Sequence, residues 1–298
     1  MEDIGANLTD SMFRGIYNGR QSHSSDIDGV LQRAYNSGIE KIIITGGSLT
    51  DSREALQLAS ADERLYSTVG CHPTRCQEFE QLQPGSSGDG YFQELLSMIT
   101  SNPGKVVAIG ECGLDYDRLQ FCPKEVQLKY FEKQLLLAEK TGLPLFLHCR
   151  NSFRDFIDVM KRNRAAFNGG VIHSFDGTLE EARDAVNFGL YIGLNGCSLK
   201  SAQNLDVVKS IPIESILLET DAPWCEIRPS HASAGLVSTH FPCRNKDKWE
   251  PGMSVKGRNE PRNILQVLEV VASLKGTDKI DMAEQAYKNA CTLFRWTL

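Results

Sequence analysis

Several things are scarce in this sequence of 298 residues, and each scarcity excludes a class of protein. Long apolar runs are missing. Strings such as Ile42-Ile43-Ile44 are strand-length, far short of the ~18 residues of a membrane span. Basic residues are in deficit: 32 Lys and Arg against 38 Asp and Glu leave a formal charge of −6. That balance excludes a general polycation that coats nucleic acid, so any phosphate contact needs a local basic patch or metal ions. The nine cysteines are odd in number and never closer than the five positions between Cys71 and Cys76. Neither zinc-finger spacing nor C-x-x-C exists, and reduced thiols are expected. The opening Met1-Glu2-Asp3-Ile4 lacks the basic and apolar regions of a signal peptide, so an intracellular chain is expected. No Gly-rich phosphate loop follows the first apolar run.

What is present is an ordinary globular composition, 41% hydrophobic and 23% charged, which excludes disorder for most of the chain. Eight β-rich runs recur: Ile4–Leu8, Lys41–Gly47, Leu65–Gly70, Val106–Leu114, Pro144–Cys149, Gly170–Phe175, Leu190–Gly196 and Ile216–Thr220. Most are continuously apolar, as strands buried on both faces are. The segments between them read as helices. Asp26–Ser37 is followed by Gly38 as a stop signal, and Lys124–Lys140 ends at Thr141-Gly142. Thr178 with Glu180 and Glu181 opens another. Asn151–Lys161 and Ser201–Lys209 fit less cleanly, and two closing helices span roughly Glu260–Leu274 and Asp278–Phe294. Pro84–Gly90 reads as a loop, and Glu226–Gly257 as a long loop over the mouth. The pattern predicts one (β/α)8 TIM barrel over residues 1–298 rather than a doubly wound open sheet.

Six of the runs deliver a polar residue at or just past the C-terminal end: Asn7, His72, Glu111, His148, His173 and Asp221. In a parallel barrel these ends meet at the face that hosts active sites. Three of only six histidines sit there, and imidazole with carboxylate suits Zn²⁺, Mn²⁺ or, with water, Mg²⁺. Glu111, His148, His173 and Asp221 together predict a metal site; His72 either joins it or orients the group under attack. Asn7 and Glu219 read as groups that steady the ligands. Cys71, Cys112 and Cys149 alternate with inward residues and read as packing thiols. Ser174 is a weak nucleophile candidate, because a metal can activate water directly.

Five strings carry a resemblance: Gly110-Glu111-Cys112-Gly113-Leu114-Asp115, Leu147-His148-Cys149-Arg150, His173-Ser174-Phe175, Glu219-Thr220-Asp221-Ala222-Pro223 and Arg258-Asn259-Glu260-Pro261. In this order they resemble the TatD family of metal-dependent deoxyribonucleases over essentially the whole chain. Gly70–Cys76 and Asn195–Lys200 look most like the eukaryotic branch. The resemblance implies a barrel of the metal-dependent hydrolase type and hydrolysis of DNA phosphodiester bonds by metal-activated water. It implies two divalent ions per chain, Mg²⁺ first, with Zn²⁺ or Mn²⁺ as alternatives. Glu111 matches the bridging carboxylate, His148 and His173 ligands of one ion, and Asp221 a ligand of the other and an acceptor of the water proton. Many relatives in the wider superfamily carry His-x-His after the first strand, where this chain has Ala6-Asn7-Leu8-Thr9.

Arg150, Lys200 and Arg258 are the expected phosphate contacts. Arg244, Lys246, Lys248 and Lys256 suggest a basic rim, and Trp224 and Trp249 candidate base-stacking surfaces. The expected partner is DNA, with RNA open, no membrane and a monomer, in nucleus or cytoplasm. Two other classes fit the same residues. One is a barrel metallohydrolase acting on a small amide, lactone or nucleobase; the other is a non-catalytic, metal-stabilised nucleic-acid-binding protein.

Overall fold

Eight parallel strands form because their side chains find apolar partners on both faces. In the computed structural model, which describes residues 1–81 and 88–297, they are β1 (Glu2–Ala6), β2 (Lys41–Ile44), β3 (Leu65–Val69), β4 (Val106–Asp115), β5 (Leu145–Arg150), β6 (Gly170–Ile172), β7 (Tyr191–Leu194) and β8 (Ile216–Leu218). They pair in sequence order. Alternate residues divide between two cores. Ile4, Ile43, Val107, Phe146, Val171 and Leu217 fill the barrel. Their neighbours Ile42, Ile44, Leu145, Leu147, Ile216 and Leu218 pack outward beneath the helices. Each such side chain stabilises by ~1.5–3 kcal/mol.

The helices are α1 (Ile27–Asn36), α2 (Leu49–Ser60), α3 (Asp89–Ser101), α4 (Lys124–Thr141), α5 (Phe153–Arg162), α6 (Leu179–Phe188), α7 (Ala202–Ser210), α8 (Ile264–Lys275) and α9 (Lys279–Phe294). Local sequence sets their ends. Thr178 and Glu181 form a capping box at the start of α6, and Gly142 ends α4 in a left-handed turn. The two segments that fit helices less cleanly are α5 and α7. Of the loop expected at Pro84–Gly90, residues 84–87 lie outside the described residues. Gly88 instead caps α3, and Asp89 and Gly90 open that helix.

The barrel closes where its first and last strands meet. Asp221 N–H donates to the Gly5 carbonyl at 2.8 Å, and Asn7 N–H to Ala222 at 2.6 Å. The buried Asp3 carboxylate takes the Thr220 N–H at 2.9 Å and its hydroxyl at 2.5 Å. At the opposite end, Ala290, Leu293 and Phe294 of α9 join the interior core, and Asn289 donates to the carbonyls of Ile213 and Ile216. One mouth is thereby plugged, and chemistry is confined to the other. No helix among the described residues is long and apolar enough to cross a membrane.

The segment after β8 is irregular, as its lack of periodicity predicts, with short turns and a two-residue ladder between Cys243–Arg244 and Ser254–Val255.

Candidate metal centre

A cavity of about 780 Å³ opens at the C-terminal ends of the strands, and Asn7, His72, Glu111, His148, His173 and Asp221 all line it. Glu111 is the hub. A single oxygen, Oε1, lies 2.7 Å from His148 Nδ1, 2.7 Å from His173 Nε2 and 3.5 Å from His72 Nε2. Strand geometry makes this possible. Gly113 is paired beside His148, and a Cβ there would stand 1.9 Å from the His148 carbonyl at a φ of +146°. Only glycine lets β4 and β5 approach so closely.

Each of the two imidazoles has a carboxylate on its far edge. His148 Nε2 lies 3.1 Å from Asp115 Oδ2, and His173 Nδ1 lies 3.6 Å from Glu219 Oε2. Both carboxylates are fully buried. Glu219 is held by the Ser174 N–H and by Asn195 Nδ2 at 3.2 Å. Burial opposes ionisation of Glu111, yet His173 and His72 hold its carboxyl well below the usual range. Burial also opposes protonation of His173, which Glu111 and Glu219 outweigh, raising its pKa well above 6.5. For His148, burial is likewise outweighed by Asp115 and Glu111, and its pKa is raised. Proton and metal ion would occupy the same place between Glu111 and its histidines.

Asp221 stands on the β8 side. Asn7 Nδ2 donates to its Oδ1 at 2.8 Å, and Cys225 Sγ–H donates to its Oδ2 at 3.2 Å. Its backbone φ of 54° is left-handed, a strained setting for a residue other than glycine. Burial, with Glu219 and Glu111 nearby, pushes its carboxyl up to about 6 against the pull of His173.

His72 differs from the other histidines. Its Nδ1 lies 2.7 Å from the Thr74 hydroxyl and 3.2 Å from the Thr74 N–H, and its Nε2 faces Glu111 at 3.5 Å. Burial drives its pKa down to about 3. It is therefore a neutral imidazole.

The remaining expectations divide. Arg150 lines the cavity, 3.3 Å from Asp176. Lys200 is exposed and is not among the lining residues. Arg258 is not brought to the cavity at all. Its guanidinium is buried, holding Asp26 at 2.7 Å through two nitrogens, Glu260 at 3.1 Å and the Met12 carbonyl. Arg33 grips Glu260 from α1 with two bonds of 2.9 Å. The role expected for Arg258 as a phosphate contact is corrected: its charge is consumed in an internal network that ties the segment before α8 to α1. Trp224 is exposed and lines the cavity. Trp249 instead stacks on His23, with centroids 4.7 Å apart. None of Arg244, Lys246, Lys248 and Lys256 lines the cavity. Cys71 and Cys112 are fully buried packing thiols, whereas Cys149 also reaches the cavity.

Two features were missed in the sequence. Asp115 lies on the same side of β4 as Glu111 by the period of two, one residue beyond the apolar run Val106–Leu114. Arg14, Arg75 and Arg118 join Arg150 around the cavity. They come from loops after different strands, so no linear run marks them.

The donors suit a divalent cation. Glu111, His148 and His173 place one ligand atom each within 4.8 Å of the others, as do His72, Asp115 and His148. In the first set both imidazoles converge on the single Glu111 Oε1 at 2.7 Å.

Comparison with known proteins places the whole chain in one family. The family model described as TatD related DNase matches residues 3–295. Deoxyribonuclease Tat-D of Schizosaccharomyces pombe is 45% identical over 98% of this chain and 94% of its own length. The 3'-5' ssDNA/RNA exonuclease TatD of Erwinia tasmaniensis is 34% identical over 99% of each chain. The crystal structure of a TatD family hydrolase from Entamoeba histolytica superposes with a TM-score of 0.92 at 39% identity, covering 98% of this chain and 97% of the other. A barrel matched by this family model over residues 3–295, with relatives of this identity along nearly its whole length, belongs to the TatD-related DNase family.

Proposed function

We propose that this chain is a divalent-metal-dependent deoxyribonuclease that hydrolyses DNA phosphodiester bonds with water. The observation that carries the reading is Glu111 Oε1 held at 2.7 Å by two imidazoles on the floor of an open cavity. Glu111, His148 and His173 would hold one cation, and Asp221 with Glu111 a second, Mg²⁺ being the working ion. Bound there, divalent ions supply positive charge to the phosphate and acidify water.

The chain's own groups do the rest. Asp221, steadied by Asn7, takes the proton of the attacking water. His72 presents Nε2–H to a phosphate oxygen. Arg14, Arg75, Arg118 and Arg150 hold neighbouring phosphates, each exchanging an ion pair on the protein for a bidentate one. Trp224, on the lip, offers a face to an unpaired base. The four arginines favour a polyanion over a small amide, lactone or nucleobase, and the open cavity argues against a purely structural metal. Lys200, exposed beyond the cavity, is at most an outer phosphate contact. The protein works in the nucleus or cytoplasm.

The test is cleavage of free-ended and end-blocked DNA by Glu111→Ala and Asp221→Ala with Mg²⁺, Mn²⁺ or Zn²⁺. Each variant is expected to lose about 10²-fold or more, the scale of several kcal/mol of transition-state stabilisation. Wild-type rates in either variant would falsify the assignment.

A further inference from the structure

Two thiols face one another at the mouth of the cavity. Cys197 follows β7, and Cys225 lies four residues beyond Asp221; their sulfurs are 2.7 Å apart. Both line the cavity and are partly exposed, so a small oxidant can reach them. Cys71 and Cys76, in contrast, are sealed in the core. The loops that carry the facing pair are pressed together: a Cβ on Gly196 would stand 2.1 Å from the Cys225 carbonyl. Cys225 is fixed in a left-handed conformation with φ 53°. A disulfide needs the sulfurs to approach by only ~0.7 Å, to a bond of ~2.05 Å.

The Cys225 sulfur also touches the site. Its S–H donates to Asp221 Oδ2 at 3.2 Å, while Asn7 holds Oδ1. A change in this thiol is a change in the partners of Asp221.

We propose that Cys197 and Cys225 form a reversible disulfide, with a peroxide as oxidant, that switches the centre off. One thiolate attacks a peroxide oxygen; the O–O bond breaks, an S–O bond forms, and the leaving hydroxide takes up a proton as water. The second thiol attacks that sulfur; the S–S bond forms, the S–O bond breaks, and the departing hydroxide takes the thiol proton. Two thiols are oxidised by two electrons, and one hydrogen peroxide becomes two waters. The product lacks the S–H that Asp221 accepts, and a dithiol reductant restores it. The cross-link stands on the sulfur geometry alone; its effect on turnover rests on the role given to Asp221 above.

The experiment treats the full-length, metal-stripped protein with equimolar hydrogen peroxide, blocks remaining thiols and maps disulfides by peptide mass. Activity on DNA is then read after Mg²⁺ is restored, with and without dithiothreitol. The wild type is expected to show a Cys197–Cys225 peptide and about a tenfold or greater fall in rate, the scale for disturbing a group that orients a metal ligand, reversed by dithiothreitol. Cys197→Ser, which removes a thiol that touches no proposed ligand, is expected to form no such peptide and to keep its rate. Absence of the peptide in the wild type, or equal losses in wild type and Cys197→Ser, overturns the proposal. Because mapping does not depend on turnover, an untreated protein that never cuts DNA faults the nuclease reading and leaves the cross-link measured.

Discussion

Asp115 holds its carboxylate 3.1 Å from Nε2 of His148, on the ring edge away from Glu111. The arrangement fixes the ring and its tautomer, so Nδ1 turns its lone pair toward Glu111 once a cation replaces the proton. Glu219 stands on the corresponding edge of His173 at 3.6 Å, an ion-pair distance. Asp115→Asn and Glu219→Gln are expected to weaken metal binding by about 10–100-fold. Titration calorimetry with Mn²⁺ measures this without reference to turnover; unchanged affinity in both variants would refute the orienting role.

The arginine ring makes a claim about salt. Arg14, Arg75, Arg118 and Arg150 line the cavity, each beside an acid on the protein. If each meets a phosphate, the affinity for single-stranded DNA falls with added salt, and each Arg→Ala variant lowers the slope of log affinity against log salt by about 0.7–1. Fluorescence anisotropy with a labelled strand, in Ca²⁺ to slow cleavage, reads the slope. A slope equal to wild type in all four variants would remove the ring from the binding surface.

Arg258 is expected to behave in the opposite way. Its removal takes from the buried Asp26 its bidentate partner and from the buried Glu260 one of its arginines. Arg258→Ala should destabilise the fold by roughly 3–5 kcal/mol while leaving the salt slope of DNA binding intact. Chemical denaturation gives the first number and the anisotropy assay the second; a stable variant with weakened binding would restore Arg258 to the phosphate contacts.

Acid should loosen the segment after β8 through one residue of α8. Glu269 accepts the N–H and hydroxyl of both Ser238 and Thr239 at 2.6–3.0 Å. Burial works against ionisation there, but those donors bring its pKa down to about 2 from 4.5. A lowered folded-state pKa means the stabilisation is complete above the unfolded value and drains away as pH falls from 4.5 toward 2. The amount is about 3 kcal/mol. Denaturation midpoints between pH 6 and pH 3 should drop less in Glu269→Gln than in wild type. Parallel curves would show that Glu269 carries no such linkage.

The barrel was legible because continuous apolar strands and capped helices are local signals, and the ordered ligand strings point to one mouth. Glu111, His148 and His173 could be placed together because a parallel barrel forces strand ends to converge. What could not be read was which polar side chains face that mouth and which turn inward. Arg258 sits in a motif string beside Glu260, and only the packing of α1 shows its guanidinium spent on Asp26. The reverse holds for Arg14, Arg75 and Arg118, which look like scattered surface charges until the loops are folded. Asp115 stands in a motif string, but its place beside His148 is not legible there, because a polar residue at a strand end looks like the start of a turn, and the side chain also caps one, accepting the Asp117 N–H.

The hydrogen bond from Asn7 to Asp221 joins residues 214 positions apart. A ribosome making this chain releases Asn7 early, and Asp221 only after all eight strands have been made. Until then the seam is open and the acid that completes the centre does not exist in folded form. The seam thus sets an order of assembly, in which the mouth of the barrel takes shape only when the two ends of the chain's strand series have met.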